Sequence, residues 1–146
     1  MRDLSLHILD LAQNSVRANA ALVEIMVSVD ESRLITITIR DDGSGMSDEL
    51  KERVTSPFAT TRTTRKVGLG IPLMMQNARL AGGDVRIDST LGQGTTLTAT
   101  LHGDSIDCLP LGDLAGTVVS LVSANPERPD FRLSCSCLLY TSDAAD

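Results

Sequence analysis

Apolar side chains return every three or four positions at the start of the chain. Leu4, Ile8, Leu11 and Ser15 form one stripe with Ala12 beside it. That period predicts a helix over residues 3 to 18. A second stripe, Asp3, His7, Asp10, Asn14 and Arg17, runs at the same steps, so these polar groups share roughly one line of the helix. His7 reads as a helix-surface histidine. The period then changes to two. In "ALVEIMVSV" Val23, Ile25, Val27 and Val29 share a face, and after the turn-like "DESR", Ile35, Ile37 and Ile39 of "LITITIRD" do the same. Two alternating runs joined by a short polar turn predict an antiparallel hairpin with one buried face. Asp41 has the parity of those isoleucines and Arg40 the opposite parity. If the strand reaches position 41, a carboxylate is aimed at the buried side, where it needs partners.

Residues 47 to 54 predict a short helix capped by Ser47, with Asp48 and Glu49 in its first turn. "TSPFATTRTTRKVGLG" lacks periodicity and reads as a loop; loops beyond about 12 residues are uncommon unless functional. "IPLMMQNARLA" predicts a helix with Pro72 in its first turn and Gly82-Gly83 at its end; the Met74-Met75 pair reads as core. "DVRIDS" and "TTLTATL" read as strands around the turn "TLGQG". Further on, Leu111, Leu114, Ala115, Val118, Leu121 and Val122 fit a helix stopping at Asn125-Pro126, and "FRLSCSCLLY" fits a strand. The expected division is residues 1–102 as the main domain, 103–136 as a C-terminal extension of helix plus strand that truncation has shortened, and 137–146 as a non-native or disordered tail. No internal repeat is present.

Composition narrows the function. A length of 146 residues with 42% hydrophobic content suits one domain with an adequate core. A net charge of −6 and only 2% aromatics argue against a nucleic-acid partner. No apolar run approaches the ~18 residues of a membrane span, and the N-terminus lacks a signal-peptide pattern. Cys108, Cys135 and Cys137, odd in number and without metal-type spacing, suggest reduced thiols in a cytoplasmic protein.

Three separated stretches carry candidate chemistry. "DLAQN" puts Asp10 and Asn14 one turn apart, a carboxylate that can orient a water and an amide oxygen that can ligate Mg²⁺. "DDGSGM" joins the inward carboxylate of Asp41 to Gly43, Gly45 and Met46. A carboxylate accepts from an exocyclic amine such as that on adenine, and glycines let backbone approach a flat base. "VGLGIPL" sets Gly68, Leu69 and Gly70 at a helix start, where free N–H groups and the dipole suit phosphate. Before it stand Thr60, Thr61, Arg62, Thr63, Thr64, Arg65 and Lys66, a dense set of donors and cations. Alone, each stretch has a plain reading: a solvated helix face, a turn, a helix entry, a polar loop. Their coincidence carries the functional one.

The order "DLAQN", "DDGSG", "PFATTRTTRKVGLGIPL", "GQGTT" over about residues 1 to 101 resembles the GHKL ATPase superfamily of gyrase, heat-shock chaperones, histidine kinases and MutL. The resemblance implies the Bergerat ATP-binding fold, an α/β two-layer sandwich. Its mixed, mostly antiparallel sheet is covered on one face by about three helices, with a flexible lid over the nucleotide. It implies ATP and Mg²⁺ as cofactors. Asn14 would hold the metal, and Asp10 stands where some branches carry a general-base glutamate. Asp41, Gly43, Gly45 and Met46 would meet adenine. Thr60, Thr61, Arg62, Lys66, Gly68, Leu69 and Gly70 would lie at the phosphates. Gly94 and Thr95 match the last box, whose threonine supports the adenine aspartate; Thr95 shares parity with Leu97, Ala99 and Leu101. "SPF" before the lid and "GLG" after it resemble the histidine-kinase and anti-sigma-kinase branch. A small stand-alone regulatory kinase is therefore expected, passing phosphate to a partner protein. The alternative is a conformational ATPase or nucleotide sensor whose partner is a regulatory target. A homodimer is open under either. Asp at position 10 is one methylene shorter than Glu, so slow hydrolysis is expected.

Overall fold

The computed structural model describes residues 3–55, 70–105 and 108–137. Helix α1 (Leu4–Arg17) leads into the hairpin of β1 (Leu22–Val29) and β2 (Leu34–Asp41). Then follow α2 (Asp48–Thr55), α3 (Gly70–Leu80), β3 (Asp84–Thr90), β4 (Gly94–His102), α4 (Leu114–Ala124) and β5 (Asp130–Cys137). The strands form one 5-stranded sheet in the order β3-β4-β2-β1-β5. All neighbours are antiparallel except β1 and β5, which run parallel. The fold class expected from the sequence, a mixed and mostly antiparallel α/β sandwich, is the one observed.

Strand alternation sorts the sheet into two faces. Val23, Ile25, Val27, Ile37, Ile39, Leu97, Ala99 and Leu101 are buried on one of them. Helices cover that face, with α1 touching β2, α3 touching β3 and β4, and α4 touching β5. Leu4, Ile8, Leu11 and Ala12 from α1, and Met74 and Ala78 from α3, complete the core. Each large aliphatic side chain so buried stabilises the fold by roughly 1.5–3 kcal/mol. The opposite face is threonine-rich: Thr36 pairs with Thr100, and Thr38 with Thr98. β-branched, half-polar side chains suit a sheet face turned to water.

The helix ends follow local chemistry. Asp3 caps α1, its Oδ1 accepting from the Leu6 N–H at 3.0 Å. Ser47 precedes α2 and its Oγ accepts from the Leu50 N–H. At the end of α3, Gly82 takes φ +80° and Gly83 donates to the Ala78 carbonyl at 2.8 Å.

Two local expectations change. Leu111 lies ahead of α4, which starts at Leu114 behind an Asp113 cap. Within α4, Thr117 and Leu121 are the buried residues, whereas Val122 is exposed. The helix has no charged residue, so its sequence does not mark which face turns inward. The α4–β5 unit is built onto the same sheet, with β5 beside β1 from Leu22↔Asp130 to Val29↔Cys137. The segment just before α4 closes the start of α1, where the Leu4 and Ser5 N–H groups donate to the Pro110 and Leu111 carbonyls. Cys108 and Cys135 are free thiols.

Candidate functional site

The end of β2 carries Asp41 into the lining of a cavity of about 210 Å³. Its walls include Leu11, Ile39, Met46, Leu50, Ile71 and Leu97, and its polar groups include Asn14, Ser15, Asp41 and Thr95. The inward parity of Asp41 holds: Ile39 and Asp41 line the cavity and Arg40 is exposed. Two donors orient its carboxylate. The Ser15 hydroxyl donates to Oδ2 at 2.5 Å, and the Gly43 N–H donates to Oδ1 at 2.9 Å. A carboxylate has about four acceptor sites, so capacity remains for a further donor.

The turn after Asp41 is glycine-rich because backbone and side chains crowd it. A Cβ at Gly43 would stand 2.7 Å from the Ala18 carbonyl oxygen. Gly45 takes φ +69° against the Thr90 backbone, a left-handed conformation that glycine adopts without strain. At Gly94, with φ +111°, a Cβ would collide with the Asp41 carbonyl. Thr95 stands opposite Asp41 in the β2–β4 register. Its hydroxyl is 2.8 Å from Ser89 Oγ, which also accepts from the Met46 N–H at 2.8 Å. The "DDGSGM" turn is thereby tied to β3 and β4.

On α1, Asn14 lines the cavity one turn from Asp10. Its Oδ1 accepts from Arg17 Nη1 at 2.9 Å, and Arg17 also lines the cavity. Asp10 is absent from this lining; its carboxylate lies against Gly70, the first residue of α3, where a Cβ would collide with it. Thr60, Thr61, Arg62, Lys66, Gly68 and Leu69 fall outside the described residues. His7 is not a surface residue, since α3 covers its ring: it is 1% exposed, and its Nε2 is 3.2 Å from the Asn77 amide nitrogen. Burial holds its pKa below the usual histidine value, with Asp10 and Asp3 opposing the shift in part.

Sequence reasoning missed Ser15, Arg17 and Ser89 as site residues. Ser15 counted only as a small member of an apolar stripe. The available signal was an inward hydroxyl beside an inward carboxylate. Ser89 could have been found from its register with Thr95.

The residues present fit a purine nucleotide. The slot is largely apolar with one carboxylate in its lining, oriented by donors that leave it able to accept an exocyclic amine. They also fit a divalent ion in one respect. Asn14 offers an amide oxygen, a hard donor suited to Mg²⁺, which the Arg17 guanidinium now occupies and would have to share or release. Among the described residues no group of three or more His, Cys, Asp or Glu side chains could hold a metal, so an ion there would depend on Asn14 and phosphate oxygens. Among the described residues no helix is long and apolar enough to cross a membrane.

Residues 2–105 match the family "Histidine kinase-, DNA gyrase B-, and HSP90-like ATPase". An uncharacterized sensor-like histidine kinase of Rhizobium meliloti is 33% identical over 88 residues, covering 55% of this chain and 17% of that protein. The sensor histidine kinase WalK of Bacillus subtilis is 30% identical over 100 residues, covering 63% of this chain and 16% of that one. Among solved structures, the histidine kinase domain of the Erythrobacter litoralis blue-light activated histidine kinase matches with a TM-score of 0.40 and 20% identity, over 56% of this chain and 32% of that one. The chain thus spans about a sixth of the length of these two curated relatives. The matched segment takes in α1, the Asp41 turn, the start of α3 and the Gly94–Thr95 strand, and the chain belongs to the histidine kinase-, DNA gyrase B- and HSP90-like ATPase family.

Proposed function

We propose that this domain binds Mg²⁺-ATP and serves as a protein kinase, passing the γ-phosphoryl group to a nucleophilic side chain of a partner protein. The observation that carries the reading is the Asp41 carboxylate, fixed by Ser15 and Gly43 in a largely apolar slot with Asn14 on the same lining. Asp41 would accept from the adenine amino group, while guanine, with a carbonyl there, would be repelled. Leu11, Met46, Ile71 and Leu97 would enclose the base and exclude water. Asn14 would hold the metal, which neutralises phosphate charge when bound, and the cationic segment around Arg62 and Lys66 would meet the phosphates. The acceptor nucleophile gains a bond to the γ-phosphorus as the bridge to the β-phosphate breaks, and ADP leaves.

Conformational ATPase activity is the second reading. Asp10, whose carboxylate lies against Gly70 at the start of α3, would be its general base, and its side chain, one methylene shorter than glutamate, would make hydrolysis slow. Incubation with γ-labelled ATP, Mg²⁺ and candidate partners separates the two. Label on a partner supports the kinase; free phosphate without labelled protein supports the ATPase. If neither appears and ADP does not raise the melting temperature, nucleotide binding itself is refuted.

A further inference from the structure

The link between α1 and β1 forms a wall of the cavity. Ala18 lines it and accepts from the Ser44 N–H at 2.9 Å, and Ser44 lines the cavity in turn. The next four residues are held from two sides. Asp42 Oδ1 accepts from the Ala21 and Leu22 N–H groups at 2.7 and 3.0 Å. Arg128 donates from Nε to the Ala20 carbonyl at 3.2 Å and from Nη2 to the Asn19 carbonyl at 3.1 Å. The Asp130 N–H, where β5 begins, donates to the Ala21 carbonyl at 2.9 Å. Asn19 sits at φ +61°, so its carbonyl direction is set by an uncommon backbone conformation that an outside donor helps to hold. Arg128 lies beyond residues 2–105, the part matched to the family.

We propose that Arg128 is a positioning residue for the nucleotide pocket, fixing the Ala18 wall and the Ser44 turn by clamping the Asn19 and Ala20 carbonyls. The proposal rests on the nucleotide reading above. It also makes the α4–β5 unit part of the binding apparatus, because the clamp enters from the connection between α4 and β5. A guanidinium is suited to this: its rigid fork reaches two carbonyls at once, which an ammonium does not.

The test is the affinity for ADP by calorimetric titration of the full chain, with far-UV circular dichroism confirming the fold. Arg128→Met is expected to bind ADP roughly 10-fold more weakly, the effect of losing charge-assisted hydrogen bonds behind the wall. Arg128→Lys is expected to recover part of that loss. Arg132→Met is the matched control: it removes an arginine from β5 whose partner is the exposed-face Glu24, and its affinity should equal wild type. Hydrogen exchange on the wild-type chain supplies a reading that needs no variant, since ADP should slow exchange of the Asp130 amide severalfold. Unchanged affinity in a folded Arg128→Met chain, or unchanged exchange at Asp130 on saturation with ADP, overturns the proposal alone. A wild-type chain that takes up no ADP overturns the nucleotide reading and the clamp with it.

Discussion

Ser15→Ala removes one hydroxyl at the centre of the site. The Ser15 hydroxyl donates to Asp41 Oδ2 at 2.5 Å, and Ser15 is 3% exposed. A hydrogen bond to a charged group contributes about 1.5–3 kcal/mol. Asp41 is half-buried and lines the cavity, so water can replace part of the interaction and the lower end applies. Alanine is also the better helix former, by up to about 0.7 kcal/mol, which offsets part of the stability loss. The melting temperature should therefore move little. Nucleotide affinity has no such offset, because the carboxylate keeps only the Gly43 N–H to orient it. About 1.5 kcal/mol lost from orientation corresponds to roughly tenfold weaker ADP binding. Calorimetric titration of ADP into both proteins, beside thermal melts, measures the two effects separately. A Ser15→Ala chain that binds ADP as tightly as wild type would refute the idea that this hydroxyl aims Asp41 at the ligand.

Other expectations follow from the same geometry. His7 is buried with its pKa lowered, so the unfolded chain takes up its proton first as pH falls. Stability should decline on acidification from just above the unfolded value of 6.5 down to the folded value, and level off below it. Melts between pH 8 and pH 5 should show that decline in wild type and a flatter profile in His7→Leu; identical profiles would rule out His7 as the source. Asn14→Ala should abolish the difference between ADP affinities measured with Mg²⁺ and with a chelator, while a surviving difference would place the ion elsewhere.

The parts of this protein legible in its sequence are those governed by local period. The Leu4–Ser15 stripe, the β1–β2 alternation and the inward turn of Asp41 each need only the repeat of a helix or strand. Thr95 is marked by the family's last box, and the same parity argument turns it inward. His7 escaped because its burial depends on α3 crossing α1, a contact between residues 70 apart in sequence. Ser15 escaped for a chemical reason: a small residue in an apolar stripe looks like packing until its acceptor is known. The inward face of α4 was hidden because the helix carries no charge to mark the side facing water. The parallel β1–β5 pairing, and with it the Arg128 clamp, joins segments more than a hundred residues apart, beyond any periodic pattern.

Nucleotide selection by Asp41 is the central claim, and one titration series tests it most directly: ADP and GDP into wild type and into Asp41→Asn. Asparagine keeps the shape but puts a donor where the adenine amine needs an acceptor, and leaving such a pair unsatisfied costs about 1–3 kcal/mol or more. The account predicts clear heat for ADP with wild type, little for GDP, and ADP binding by Asp41→Asn weakened by roughly a hundredfold. Equal ADP affinity in Asp41→Asn, or equal affinity of wild type for the two nucleotides, would contradict it.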